Sequence, residues 1–117
     1  APTFGANPVC AAAGLVVQET LSDDFLQEVT AKGEYLRGAI EALDLPCFGK
    51  TRGLGLMIGI ELAFPAKAVW EELIRRGFIC NLSHEVVLRL LPALNIPEED
   101  LRAFADTLED ILANIKK

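Results

Sequence analysis

Arg89 stands in Val86-Val87-Leu88-Arg89-Leu90-Leu91, a run whose other members are all branched and apolar. A guanidinium is rarely placed beside a core without an anion to hold, because its planar fork grips a carboxylate or phosphate through parallel N–H donors. The pattern leaves two readings open. One is recognition of a small anion; the other is an edge-strand arginine whose stem packs while its tip reaches water or Glu61. A second candidate is Thr3-Phe4-Gly5-Ala6-Asn7-Pro8, which offers a hydroxyl, a flexible glycine and a helix start, the ingredients of a phosphate site. The GxxxxGK[ST] pattern is absent, and Asn7 as N-cap with Pro8 as the first helical residue would by themselves explain the local order.

The remaining chemistry-bearing side chains read more simply. His84 lies beside Glu85 in a polar link, and no serine or cysteine stands at a spacing that marks a nucleophile triad, so it reads as a surface histidine. Tyr35 and Trp70 fall inside amphipathic helical patterns as packing or interface residues. Asp23-Asp24 and Glu98-Glu99-Asp100 open helices, where carboxylates meet the positive end of the dipole; this explains them better than a glycosidase pair does. Cys10, Cys47 and Cys80 are an odd set in apolar contexts, with no CxxC and a single histidine in the chain. They read as reduced thiols serving as small hydrophobes, with neither a metal site nor a disulfide framework.

These residues need a scaffold, and its centre is Arg52-Gly53-Leu54-Gly55-Leu56-Met57-Ile58-Gly59-Ile60-Glu61-Leu62. Period two puts Leu54, Leu56, Ile58, Ile60 and Leu62 on one face of a single central strand and Gly55, Met57, Gly59 and Glu61 on the other. The repeated glycines imply that another backbone or a ligand comes close; tight helix-on-sheet packing or a bulge is the simpler cause. Before the strand, a helix from Pro8 to Leu21 is apolar around much of its circumference, which calls for a partner beyond this domain. Ser22 caps an amphipathic helix striped by Phe25, Val29, Leu36, Ile40 and Leu43. A link at Leu45-Pro46-Cys47-Phe48-Gly49 leads into the strand. After it come a short helix over Ala68 to Arg76 with Val69, Leu73 and Ile74 inward, closed by Gly77, and a strand at Phe78-Ile79-Cys80. A polar link over Asn81 to Glu85 precedes the strand from Val86 to Leu91. A final helix starting at Pro97 carries Leu101, Phe104, Leu108, Ile111, Leu112 and Ile115, with Lys116-Lys117 at its negative end. The predicted fold class is α+β, a small mainly antiparallel sheet of three or four strands with helices packed on one face.

At 117 residues, with 51% hydrophobic and 24% charged residues, the chain is one domain's worth of globular protein. A formal charge of -6, from 17 acidic residues against 11 lysines and arginines with no basic cluster, disfavours nucleic acid as a partner. No apolar run approaches the ~20 residues that span a bilayer, and no secretory signal appears. The opening Ala1-Pro2-Thr3 lacks an initiator methionine and suggests a processed or excised fragment.

Three segments, Thr3 to Pro8, Arg52 to Glu61, and Leu88-Arg89-Leu90-Leu91-Pro92-Ala93-Leu94, together resemble the C-terminal portion of class III pyridoxal-phosphate aminotransferases in one register over essentially all of the chain. The resemblance is greatest to members of that class acting on acetylornithine. It implies the small C-terminal domain of a fold type I pyridoxal-phosphate enzyme over residues 22–117, preceded over residues 1–21 by the end of the cofactor-domain region and a hydrophobic linking helix. It also implies a cytoplasmic homodimer in arginine biosynthesis, with pyridoxal phosphate in the full-length enzyme and none in the fragment. Thr3 matches the threonine that reaches the cofactor phosphate of the neighbouring subunit, and Arg89 the arginine that holds the substrate α-carboxylate. Gly53, Gly55 and Gly59 match glycines of the small domain. Ala6 stands where the family usually has a second glycine, and Ala93 where it often has a second proline.

The activity so implied is amino transfer between N-acetylornithine and 2-oxoglutarate; ornithine, succinylornithine and 4-aminobutyrate are the alternatives within the class. The lysine that carries the cofactor belongs upstream of Ala1 in the family pattern, and none of Lys32, Lys50, Lys67, Lys116 or Lys117 matches it. The fragment is therefore expected to have no catalytic residue of its own, to be inactive, and to need an N-terminal cofactor domain and a second identical subunit. The alternative from another class is a stand-alone α/β module that binds a small carboxylate through Arg89 or pairs through its helices.

Overall fold

The computed structural model describes residue 3 and residues 5–43 and 48–115. The link expected at Leu45-Pro46-Cys47 and the Lys116-Lys117 helix end lie outside the described residues. Four helices and four strands follow one another as α1 (Pro8–Thr20), α2 (Asp23–Glu41), β1 (Phe48–Leu54), β2 (Met57–Leu62), α3 (Lys67–Arg75), β3 (Asn81–Ser83), β4 (Val87–Leu90) and α4 (Glu98–Asn114). The strands form one antiparallel sheet in the order β1-β2-β4-β3. This is the small α+β architecture expected from the patterning.

Helix starts follow the capping chemistry. Asn7 Oδ1 accepts from the backbone N–H of Val9 at 3.0 Å and of Cys10 at 3.3 Å, and Ser22 Oγ accepts from Phe25 N–H at 3.2 Å. Pro97 occupies the N-cap position of α4 rather than its first helical residue, and Glu98, Glu99 and Asp100 fill the first turn. Gly77, with φ +91°, ends α3 as its N–H donates to the Ile74 carbonyl at 3.0 Å.

The predicted single strand from Arg52 to Leu62 is two strands. The chain reverses at Gly55 and Leu56, so that Arg52 pairs with Gly59 and Leu54 with Met57. Gly55 takes φ +52°, a left-handed conformation that costs a side chain-bearing residue about 1–2 kcal/mol. Alternating apolar residues continue straight through the reversal, so periodicity alone could not see it. Its consequence is that Leu54 leaves the apolar set and is 87% exposed, while Ile58, Ile60 and Leu62 face the core. The close approach implied by the glycines comes from backbone. A Cβ on Gly53 would strike the Met57 carbonyl oxygen across the hairpin, and one on Gly33 of α2 would strike the carbonyl oxygen of Gly55.

The predicted strand at Phe78-Ile79-Cys80 is also corrected. Pairing with β4 begins at Asn81, in the segment read as a polar link. Phe78 is instead an anchor, its ring edge-on to Phe104 with centroids 5.6 Å apart. The Cys80 carbonyl accepts from Trp70 Nε1–H at 2.9 Å, and Ile79 between them is 94% exposed. Phe78 and Cys80 are thus held by helices, which leaves their backbone outside the ladder.

One apolar core joins the helix-covered face of the sheet to α2, α3 and α4 through Leu36, Ile40, Ile58, Ile60, Leu88 and Leu108, all at most 1% exposed. Burying each such side chain contributes about 1.5–3 kcal/mol before entropy is counted. Ile74, expected inward, is 40% exposed, because the core side of α3 is set by Val69 and Leu73. Helix α1 buries none of its residues, and Val9, Leu15, Val16 and Val17 are each more than half exposed. Cys10 rides on that helix and is exposed, against its reading as a core hydrophobe; Cys80 is half-buried and Cys47 lies outside the described residues.

Candidate functional site

The face of the sheet turned away from the helices is open. Cross-strand register places Arg52, Gly59, Arg89 and Asn81 in one row on it, with Lys50, Glu61, Val87 and Ser83 in the next. A shallow cleft of about 580 Å³ lies on this surface, and Arg52, Gly59, Glu61, His84, Val87 and Arg89 line it. Gly59 puts no side chain into the row, so the space between the two arginines is unobstructed. A Cβ there would meet Val87 Cγ1 at 3.5 Å, the Arg52 stem at 3.7 Å and the Arg52 carbonyl oxygen at 3.8 Å, all ordinary contact distances. What keeps the lane free is the missing methyl; nothing in the packing forbids one.

Arg89 sits on β4, an inner strand of the four, so the edge-strand reading of it does not hold. Its neighbours Leu88 and Leu90 point into the core at 0% and 7% exposure and fix the strand, while Arg89 itself is exposed on the cleft side. Glu61 is not its partner. Arg52 Nη2 donates to Glu61 Oε2 at 2.8 Å, and among the described residues no carboxylate lies within salt-bridge distance of Arg89. The cleft therefore carries one arginine neutralised by an acid and one with its donors available. A planar anion entering the cleft meets the second.

The rim of the cleft is the β3–β4 loop. His84 and Glu85 take φ +50° and +60°, a conformation uncommon for residues with side chains. It is held from outside, since the Glu85 carbonyl accepts from Ala66 N–H at 2.7 Å and the Val86 carbonyl from Leu62 N–H at 2.9 Å. His84 is exposed, as expected, and its Nδ1 lies 2.9 Å from Ser83 Oγ. Neither glycine nor asparagine marks the loop, so its geometry was not legible in the residues.

Thr3 is exposed in the turn ahead of α1 and does not line the cleft, so the structure does not bring it together with Arg89. Asn7 already takes the amides of Val9 and Cys10 at the start of α1, while the Thr3 residue ahead of it is exposed. Ala6 beside it adopts φ +63°, the left-handed conformation in which a glycine would be unstrained. A second cavity, of about 360 Å³, lies between Phe78, Leu91, Pro92, Ile96 and the start of α4; it is apolar apart from Asp100. Burial pushes the Cys80 thiol up in pKa.

With the geometry described, the chain can be set beside known proteins. The sequence profile of the family described as aminotransferase class-III matches residues 1–112. The acetylornithine aminotransferase of Streptomyces coelicolor is 41% identical over 112 residues, which is 94% of this chain and 28% of that protein. The ornithine aminotransferase of Bacillus subtilis is 35% identical over 113 residues, 96% of this chain and 28% of that protein. Among solved structures, the acetylornithine aminotransferase of Elizabethkingia anophelis superposes with a TM-score of 0.85 at 27% identity, covering 98% of this chain and 31% of that one. The chain thus spans a little over a quarter of the length of these relatives.

Proposed function

Because the chain belongs to the class-III aminotransferase family, we propose that it forms the C-terminal part of an enzyme moving an amino group between N-acetylornithine and 2-oxoglutarate, with Arg89 gripping a substrate α-carboxylate. The observation that carries the reading is the uncommitted guanidinium of Arg89 on an inner strand, beside the open lane over Gly59. In the same reading, residues 22–117 are the small domain, residues 1–21 lead out of a larger cofactor domain, and Thr3 reaches the cofactor phosphate of a second identical subunit. Acetylornithine is preferred to ornithine on the higher identity to the Streptomyces relative. A cytoplasmic location belongs to the same reading; among the described residues no helix is long and apolar enough to cross a membrane.

The residues present fit part of a pyridoxal-phosphate site and no more. Thr3 supplies a hydroxyl for the phosphate, while the amides at the start of α1 are spent on Asn7. Pyridoxal phosphate supplies the carrier of the amino group when bound. The work of this chain is to bind and orient: Arg89 fixes the carboxylate end of the substrate, and the rigid β2–β4 pair fixes Arg89. None of its described lysines, Lys32, Lys50 and Lys67, lines the cleft, so the chain by itself is expected to bind the cofactor poorly and to turn nothing over. An absorbance titration of the 117-residue chain with pyridoxal phosphate checks this; a saturable, stoichiometric change accompanied by transamination would overturn it.

The test of the main reading is substitution of Arg89 in the full-length enzyme. Arg89→Gln is expected to raise KM for both carboxylate substrates by about 30-fold or more, the equivalent of about 2 kcal/mol for removing one partner of a desolvated charge pair. Arg89→Lys keeps the charge but loses the fork, and is expected to fall between. Unchanged KM in Arg89→Gln would remove Arg89 from the substrate site.

A further inference from the structure

We propose that Arg52 is a positioning residue: by holding the Glu61 carboxylate, it keeps Glu61 from neutralising Arg89. Glu61 lies on β2 on the cleft face, directly across from Lys50 on one side and Val87 on the other. Two residues further along each flanking strand come Arg52 and Arg89, so Glu61 is the diagonal neighbour of both arginines. Diagonal neighbours on one face of a sheet stand about 7–8 Å apart at their Cα atoms, within reach of long side chains. Gly59 raises no barrier between the two arms of this arrangement. One acid thus has two guanidinium groups within its range, and it is committed to Arg52 at 2.8 Å.

The pair is half-exposed, with Arg52 at 60% and Glu61 at 34% of side-chain accessibility, so it adds little to folding stability. Its effect is on allocation. A carboxylate beside Arg89 would compete with any substrate carboxylate at the moment the cleft fills, and like charge would repel the newcomer. With Arg52 in place the acid is occupied on the far side of the lane. Lys50 is the other cation in range; it faces Glu61 across the strands but makes no salt bridge with it.

The inference rests on the reading of Arg89 as the carboxylate anchor, and its test can fail separately from that reading. The experiment is peptide-resolved mass spectrometry of phenylglyoxal labelling at Arg89 in the 117-residue chain. All variants carry Lys50→Gln so that Lys50 cannot take up the released acid. Arg37, which makes no salt bridge among the described residues, serves as the internal reference for an intact fold. Adding Arg52→Gln is expected to slow labelling of Arg89 about threefold, the occupancy of a surface ion pair, and adding Glu61→Gln as well to restore it. Arg52→Lys keeps the charge and is expected to label close to the parent. Equal labelling with and without Arg52 overturns the inference, as does a slow rate that Glu61→Gln fails to relieve. In the full-length enzyme the same series predicts a KM rise in Arg52→Gln at unchanged kcat, reversed by Glu61→Gln. If the labelling pattern holds while Arg89→Gln leaves KM unaltered, the allocation of Glu61 stands and the substrate assignment falls.

Discussion

At the scale of single residues, most ionisable side chains of this chain meet solvent, and their pairings set local conditions rather than overall stability. Glu72 shows how such a pairing responds to pH. Its pKa is lowered, first by the hydrogen bond from Arg76, which also donates to Asp110 at 2.6 Å and so ties α3 to α4. A carboxylate with a lowered folded-state pKa contributes stability that is present above its unfolded value and lost as pH falls through the folded one. Urea midpoints measured downward from pH 6 should therefore fall once the pH passes below the usual carboxylate range, and Glu72→Gln should make that fall shallower. An identical pH dependence in the variant would show that Glu72 is not among the groups responsible. Arg89 illustrates what residue-level reading can reach: an arginine within an apolar strand flagged an anion site, but only the register showed that Glu61 was committed elsewhere.

At the scale of elements, the three core-facing helices of the domain were legible because their apolar stripes, the Ser22 cap of α2, the acidic first turn of α4 and the glycine that ends α3 agree with one another. The strands were less so. The β1–β2 reversal was hidden by apolar alternation running through it, and the β3 position by Phe78-Ile79-Cys80, which looks like strand although α4 engages the Phe78 ring and α3 the Cys80 backbone carbonyl. Where a helix and a hairpin touch through backbone, the sequence signal is an isolated glycine with no other cause. Gly33 of α2 is that case, and Gly38, five residues on in the same helix, is its contrast: a Cβ at Gly33 meets the Gly55 carbonyl, whereas at Gly38 nothing lies within 4 Å. Gly33→Ala should cost about 1–3 kcal/mol through forced displacement of the hairpin turn, and Gly38→Ala should gain about 0.5–1 kcal/mol from helix propensity. Denaturant midpoints of the two variants should move in opposite directions; movement in the same direction would contradict the close contact of α2 with the turn.

At the scale of the whole molecule, the four-stranded sheet with its three helices is closed on one face and open on the other, and α1 adds a second unsatisfied surface. A helix of 13 residues that buries none of them gains nothing from tertiary packing, and helices of this length are marginal alone in water. The chain in isolation should therefore either lose α1 or cover it against another copy. Where α1 stays ordered, light scattering is expected to show a mass that rises with concentration, returned to that of a monomer by Leu15→Lys with Val16→Glu. A monomer in which the α1 amides are nonetheless protected from hydrogen exchange would contradict this.

The loop between β3 and β4 couples the cleft to a distant stretch of the chain. The carbonyls of Val86 and Glu85 accept from the N–H groups of Leu62 and Ala66, residues some twenty positions earlier, and these bonds join the Val86 N–H to His84 carbonyl bond within the loop in holding the left-handed pair at His84 and Glu85. The rim of the cleft is thereby tied to the corner between β2 and α3, far from it in sequence. A change in that corner is expected to reach the strand bearing the free guanidinium through the loop it holds, so the grip on a carboxylate can be loosened from a place that never touches the ligand.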